Sequence, residues 1–309
     1  ESVLLPPPYN RVFRLTDNQK RRYILKEYDN KLHVHKQPAH LPTLRAALES
    51  SLLEFLRQRK LPVIAPLPLR RPPHRFFLHG RKACLLFPFL DGTPYRKTPE
   101  QRHQVASTLA TLHLHLREFS FPQRDLFPCG AVGNTWLTPE LREKAFSFLS
   151  CQNPGLADKT TAAWQSLEPF LALLRQSPSP AEPGMVHLAN HGDVDPKNVM
   201  FFGNRPFFFD FQQVFWGPRL LDLAQGMLQF AYVFPGGHHV PDLASFLHSY
   251  QSVFPLNPPE LHHLKSALLF CLLLKLSILL QLHGTGFPLS PEQFSCHLRL
   301  LDAFPSLAL

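Results

Sequence analysis

Cysteine is scarce in this chain and carries no pattern. Cys84, Cys129, Cys151, Cys271 and Cys296 are odd in number, far apart in sequence, and form no C-x-x-C pair. A disulfide framework is therefore not expected, and a reducing, cytoplasmic setting fits the thiols better than an oxidising one. Zinc signatures are missing too, with no H-E-x-x-H and no convergence of the histidines. His113 and His115 fall in a helical stretch, where i and i+2 point about 200° apart, and His33 and His35 share a strand face without a third ligand nearby in sequence. Long apolar runs are almost absent. The one membrane-like stretch, Leu264–Leu282, is interrupted by Lys265, Lys275, Ser277 and Gln281. A lysine at mid-span costs about 2.5–3.5 kcal/mol in a bilayer, so a buried core helix is expected there, and no membrane partner. The first thirty residues hold a proline run and then charges, without the apolar stretch of a signal peptide. No internal repeat and no Pro/Gly/Ser-rich linker divides the chain.

What is present begins with size. The 309 residues are 44% hydrophobic, as in a soluble globular protein, and are enough for two lobes of ordinary size. The formal net charge is +9, but the basic residues come in short clusters such as Lys20–Arg22 and Arg70–Arg71, spread between acidic ones. A nucleic-acid binder concentrates such residues on one helix or arm, so a solvated surface with mild affinity for small anions such as nucleotides is expected, and no nucleic-acid partner.

The chemistry gathers in His187–Phe211, HLANHGDVDPKNVMFFGNRPFFFDF. Met185–Leu188 is strand-like, His191–Asn198 is polar and turn-rich, and the apolar Val199–Phe202 and Pro206–Phe209 flank a turn at Gly203–Asn204. Such a hairpin brings its outer ends together, so Asp193 and Asn198 face Asp210. Three side chains offering hard oxygens, without thiolates or a histidine triad, suit Mg²⁺.

The run H-G-D-V-D-P-K-N has the H-x-D-x-x-x-x-N spacing of the kinase catalytic loop, and Asp210–Phe211–Gln212 stands where kinases carry the metal-binding D-F-G. Together with Trp216–Gly217–Pro218 and Asp222–Leu223–Ala224, the segment Met185–Ala224 resembles the aminoglycoside phosphotransferase and choline kinase-like family of small-molecule kinases. Two departures stand out: Gln212 replaces the usual acidic residue or glycine, and Asp195 sits where many relatives have His and protein kinases have Lys. Elsewhere YILKEY resembles the family's lysine-bearing strand, Phe89–Leu90–Asp91–Gly92 resembles its F-L-x-G hinge, and VASTLATLHLHL resembles its L-x-x-L-H run. PYNRVFRLTDN is similar to its short nucleotide loop, with Asn10 on it and no G-x-G-x-x-G.

The resemblance implies an α+β, two-lobed protein-kinase-like fold, with a small β-rich N-terminal nucleotide-binding lobe over residues 1–88 and a larger, mostly helical catalytic and substrate-binding lobe over 89–309. It implies ATP and Mg²⁺ as cofactors. Asp193 would orient the acceptor hydroxyl and accept its proton, Asn198 and Asp210 would hold the metal, and Lys26 would reach the α- and β-phosphates. The adenine edge would meet backbone groups near Leu86, Phe87 and Phe89. The partner of Lys26 is chosen on helical phase. Over Leu41–Lys60, Glu49 shares the apolar face with Leu52, Leu53 and Leu56, whereas Glu54 lies on the other side with Ser50, Arg57 and Gln58. A carboxylate on a buried face needs a partner, and Lys26 supplies it.

The remaining elements follow from the same patterns. Strands are expected at Arg11–Leu15, Arg22–Glu27, Lys31–His35, Arg75–His79 and Ala83–Pro88. Helices are expected at Pro99–Arg117, Pro139–Leu149, Lys159–Arg175, Leu223–Phe234, Pro241–Phe254, Pro259–His283 and Pro291–Ala303. Only eleven residues separate Asp210 from Asp222, with no A-P-E motif, which leaves little room for a peptide platform and favours a small-molecule hydroxyl acceptor over a protein kinase's substrate. A nucleotide-binding pseudokinase scaffold is the other alternative, and the presence of all five expected residues argues against it. From Leu223 onward the only acids are Asp242, Glu260, Glu292 and Asp302, too few and too dispersed for a polycation. A neutral or weakly charged acceptor is expected: a sugar, an amino alcohol or a less basic antibiotic.

Overall fold

The fold is given by a computed structural model, which describes residues 2–5, 11–28, 41–69, 76–80, 82–120, 154–176, 184–232, 243–284, 297, 299–301 and 304. Asn10, the expected strand Lys31–His35 with both its histidines, the expected helix Pro139–Leu149 and most of Pro291–Ala303 lie outside them.

An antiparallel sheet comes first in the chain and helices dominate after it, a mixed α+β arrangement. The sheet consists of β1 (Ser2–Leu5), β2 (Arg11–Thr16), β3 (Arg22–Tyr28), β4 (Phe76–His79) and β5 (Lys82–Pro88), in the order β1-β2-β3-β5-β4. Strand β1 has no counterpart in the sequence reading, because Ser2–Leu5 shows no alternation and runs straight into prolines. The β2–β3 turn is fastened by Asp17, whose carboxylate accepts from the Gln19 and Arg21 amides, each at 2.9 Å.

Helix α1 (Leu41–Gln58) crosses the sheet with Leu52, Leu53 and Leu56 fully buried. Glu49 is on this inner face as its helical phase requires, and Glu54 is held outside by Arg57 at 2.6 Å. Ser50 differs from expectation: it is buried. Beyond α1 the chain meets the hairpin that follows Asn198 directly. The Ile64 amide donates to the Phe208 carbonyl at 3.2 Å and the Phe208 amide to the Pro62 carbonyl at 3.0 Å.

The second half is built on α2 (Pro99–Leu116), started by Thr98, whose hydroxyl accepts from the Gln101 amide at 3.2 Å. After the short β6 (Thr93–Pro94), the site segment supplies β7 (His187–Asn190), β8 (Val199–Phe202), β9 (Arg205–Phe208) and β10 (Phe215–Pro218). β8 and β9 form the expected hairpin, and β10 pairs with β7. The other helices are α3 (Pro154–Gln176), α4 (Leu220–Gly226), α5 (Leu243–Gln251) and α6 (Pro258–Gly284). In place of one helix over Leu223–Phe234, α4 begins at Leu220 and widens into a π-helical turn at Met227–Tyr232. There the Phe230 carbonyl accepts from the Tyr95 hydroxyl at 3.1 Å. Helix α6 is the one helix among the described residues long and apolar enough to cross a membrane by length and composition. It packs on α3 and α4 with Leu268 and Leu272 fully buried, and its lysine at mid-length has a partner, since Lys275 Nζ lies 3.5 Å from Asp195 Oδ2.

Arg219 and Glu260 tie the start of α4 to the start of α6. Both are 1% exposed and joined through two contacts of 2.7 and 2.6 Å, with the guanidinium 3.5 Å above the Phe254 ring. Removing one member strands a buried charge. Glu260→Ala is expected to cost about 3–5 kcal/mol, read as a lower urea midpoint at unchanged slope.

Candidate active site

The polar loop between β7 and β8 is hung from below by α4. Asp222, 1% exposed, accepts from the His191 amide at 2.5 Å, the Gly192 amide at 2.9 Å and His113 Nε2 at 3.2 Å. One turn on, the Gln225 side-chain carbonyl accepts from the Val194 amide at 3.1 Å. Buried backbone donors that would otherwise cost stability are thus used to set the loop's shape. Gly192 has φ +81°, and a Cβ there would fall 2.2 Å from the Gln213 carbonyl oxygen. Only glycine lets the loop lie this close to the turn that follows Asp210.

His191 acts inside the loop. Its Nδ1 accepts from the Asp193 amide at 3.3 Å, so its Nε2 is the donor to the Phe209 carbonyl at 3.0 Å, and its ring lies 4.2 Å from that of Phe211. The hairpin does what its pattern predicts, since the Phe209 amide donates to the Asn198 carbonyl at 3.1 Å and brings Asp210 back beside Asn198. Asn198, 3% exposed, donates its amide nitrogen to the Asp193 carbonyl and to Asp193 Oδ2, each at 2.9 Å. That commits the nitrogen and leaves the amide oxygen as the atom able to bind a cation.

Asp210 closes the arrangement from the other side. It sits at φ +64°, a left-handed conformation rare for a residue with a Cβ, and such outliers gather at functional sites. The contacts around it explain how it is kept there. Glu49 Oε1 accepts from the Phe211 amide at 3.1 Å, and Arg45, one turn earlier on α1, donates to the Gln212 carbonyl at 2.8 Å. Lys26 Nζ reaches Glu49 at 3.1 and 2.9 Å and Asp210 Oδ1 at 2.5 Å. Burial works against the Lys26 ammonium, and the Asp210 and Glu49 carboxylates outweigh it, so its pKa stands above the ordinary lysine value. Burial also opposes the Asp210 carboxylate, but Lys26, His191 and Lys197 hold its pKa below the usual range.

Near the expected adenine edge the chain is clasped to itself. The Phe89 amide donates to the Arg22 carbonyl at 3.2 Å, and the Arg22 side chain bonds Asp91 at 2.9 Å while its guanidinium lies 4.1 Å over the Phe89 ring. The Leu86 carbonyl accepts from the Leu67 amide at 2.7 Å, and Phe87 is 8% exposed. Sequence reasoning did not single out Arg45, Gln225 or Lys197, whose Nζ lies 2.9 Å from Asp193 Oδ2.

His113 is buried between Tyr250 (2.7 Å at Nδ1) and Asp222, and burial, offset in part by Asp222, lowers its pKa below the ordinary 6.5. A base with a depressed folded pKa contributes stability that is present above its unfolded pKa and lost as pH falls through the folded value. Wild type is therefore expected to lose stability below about pH 6.5 more steeply than His113→Gln, in urea titrations from pH 7.5 to 5.

A sheet lobe whose buried lysine and glutamate meet an aspartate on the helical side, next to an H-x-D loop, defines a kinase-like fold. Two solved structures share it. One is a microcompartment-associated aminopropanol kinase, with TM-score 0.69 and 17% identity over 99% of this chain and 92% of that one. The other is an amicoumacin kinase solved with AMP-PNP, Ca²⁺ and Ami, with TM-score 0.67 and 13% identity over 99% and 88%. The model of the phosphotransferase enzyme family matches residues 9–262, and the chain belongs to that family, the aminoglycoside phosphotransferase family its motifs resemble. A homoserine kinase of Parvibaculum lavamentivorans is 26% identical over 221 residues, which span 69% of this chain and 62% of that protein.

Proposed function

We propose that this chain transfers the γ-phosphoryl group of ATP to a hydroxyl of a small molecule, with Mg²⁺. The observation that carries the reading is the run of contacts from Glu49 through Lys26 to Asp210, ending beside the Asn198–Asp193 pair. The division of labour follows from it. Lys26, set by Glu49, steadies the α- and β-phosphates, while the hinge near Leu86, Phe87 and Phe89 lines the base. The lobes divide at Pro88, with residues 1–88 on the nucleotide side and 89–309 on the acceptor side. Asp193 orients the acceptor hydroxyl and takes its proton through Oδ1, the oxygen that Asn198 does not contact.

The donors suit Mg²⁺. Asn198 and Asp210 offer one oxygen-bearing side chain each, and among the described residues no group of three or more His, Cys, Asp or Glu forms a protein-only cage. Mg²⁺ is commonly held by one or two carboxylates plus substrate phosphates. When bound, it neutralises phosphate charge during transfer.

A neutral or weakly charged acceptor fits the acceptor side. Glu260 is committed to Arg219, and Asp195 is faced by Lys275, so neither offers free negative potential to a polycation. Relatives that act on aminopropanol and homoserine point the same way. The test is ADP release from Mg·ATP with aminopropanol, homoserine, neutral sugars, macrolides and kanamycin. Turnover of a weakly charged compound with kcat/KM above about 10⁴ M⁻¹s⁻¹ is expected. Kanamycin as the best acceptor would overturn the acceptor class, and ADP release with none of them would overturn the transfer reaction.

A further inference from the structure

The loop that carries Asp193 holds a second charged group that the division of labour above leaves idle. Lys197 lies between Asp193 and Asn198 in chain order, on the short 3-10 turn Pro196–Asn198. Its backbone is fixed, because the Lys197 amide donates to Asp195 Oδ1 at 3.1 Å and the Asn198 amide to the Asp195 carbonyl at 2.9 Å. Its side chain is not held the same way. Nζ is 2.9 Å from Asp193 Oδ2, yet the side chain is 60% exposed. With one partner this open to solvent, the contact can be exchanged for a better one.

The other lysines near the site are committed. Lys26 is 6% exposed, bonded to Glu49 and Asp210 and assigned above to the α- and β-phosphates, and Lys275 faces Asp195. A phosphoryl group in transfer spreads negative charge over three non-bridging oxygens, and positioned cations are what a protein can offer it. Lys197 has an exposed ammonium beside the base.

We propose that Lys197 is a further catalytic residue, whose ammonium moves from Asp193 Oδ2 to the non-bridging oxygens of the transferring phosphoryl group. The inference rests on the phosphotransfer reading above. In the step, the acceptor oxygen forms its bond to phosphorus while the bond from phosphorus to the bridging oxygen breaks. That electron pair stays on the departing nucleoside diphosphate, and the hydroxyl proton ends on Asp193 Oδ1. Lys197 gains or loses no proton. Its departure from Asp193 frees the carboxylate of a neighbouring cation as it becomes the proton acceptor.

The test compares wild type, Lys197→Ala and Lys197→Arg. With Mg²⁺ present, calorimetry against AMP-PNP and against ADP separates contact with the third phosphate from any general effect on the nucleotide site. Lys197→Ala is expected to lower AMP-PNP affinity about 10-fold or more relative to ADP, as for loss of a charge-assisted hydrogen bond. It is also expected to lower kcat by about 10- to 100-fold with acceptor KM little changed, and Lys197→Arg to recover part of both. Equal losses for the two nucleotides, or an acceptor KM that rises at constant kcat, would overturn the proposal. Should wild type transfer phosphate to no acceptor, the phosphotransfer reading fails by itself, while the AMP-PNP to ADP ratio still decides whether Lys197 meets the third phosphate. Thermal unfolding of each variant checks that the exposed substitution leaves the fold intact.

Discussion

Asp193→Asn is expected to lower phosphoryl transfer by about 10²–10⁴-fold while leaving nucleotide affinity within a few fold of wild type. The size follows from what the carboxylate does. A positioned base acts on the acceptor's proton, which is not part of nucleotide binding. Asparagine keeps the shape of the side chain and an oxygen for the Asn198 amide to meet, so the 2.9 Å contact that orients Asn198 need not be lost. Asp193→Ala removes that contact as well and is expected to weaken Mg²⁺-dependent binding beside turnover. Steady-state kinetics on both variants, with nucleotide titrations alongside, separate the two roles. Turnover of Asp193→Asn near the wild-type rate would remove Asp193 as the base and favour another proton acceptor.

The parts of this site that sequence could reveal are those whose information is local. Glu49 was separable from Glu54 because helical phase alone decides which carboxylate turns inward, and the structure has Glu49 on Lys26 and Glu54 on Arg57. The hairpin after Asn198 was readable from two apolar runs around Gly203, and its closure beside Asp210 follows from antiparallel pairing. Ser50 is buried against its phase, since burial is set by a helix's neighbours and not by its own periodicity. The π-helical turn was invisible for a similar reason, since it accompanies a hydroxyl on Tyr95, far away in sequence. The lysine at the middle of α6 looked only like a flaw in an apolar run, and its partner Asp195 looked only like a departure from a motif. They face one another across 80 positions, and neither makes sense without the other. Asp222 was visible as a motif residue, but its work on the His191 and Gly192 amides concerns backbone groups that sequence does not mark.

Asp210→Asn is expected to reverse the nucleotide site's response to Mg²⁺. The backbone argument is favourable to the substitution: Asp210 is at φ +64°, and asparagine tolerates the left-handed region as well as aspartate does. The change is therefore electrostatic. In wild type Glu49 and Asp210 bracket one ammonium at 2.9 and 2.5 Å; burial raises the Glu49 pKa, whereas Lys26 holds that of Asp210 below the usual range, so the fixed negative charge facing the metal is that of Asp210. Asparagine removes that charge. Free ATP, itself an anion, then meets less repulsion and keeps or improves its affinity, while Mg·ATP loses the main fixed charge facing the metal. Turnover is expected to fall at least about 10²-fold, because stabilisation of the phosphates by a correctly held metal contributes several kcal/mol to transfer. Calorimetric titration with ATP in the presence of Mg²⁺ and in the presence of a chelator measures the two affinities directly. If both fall by the same factor, Asp210 serves to hold Lys26 and the turn at Phe211 in place, and the metal must be sought elsewhere.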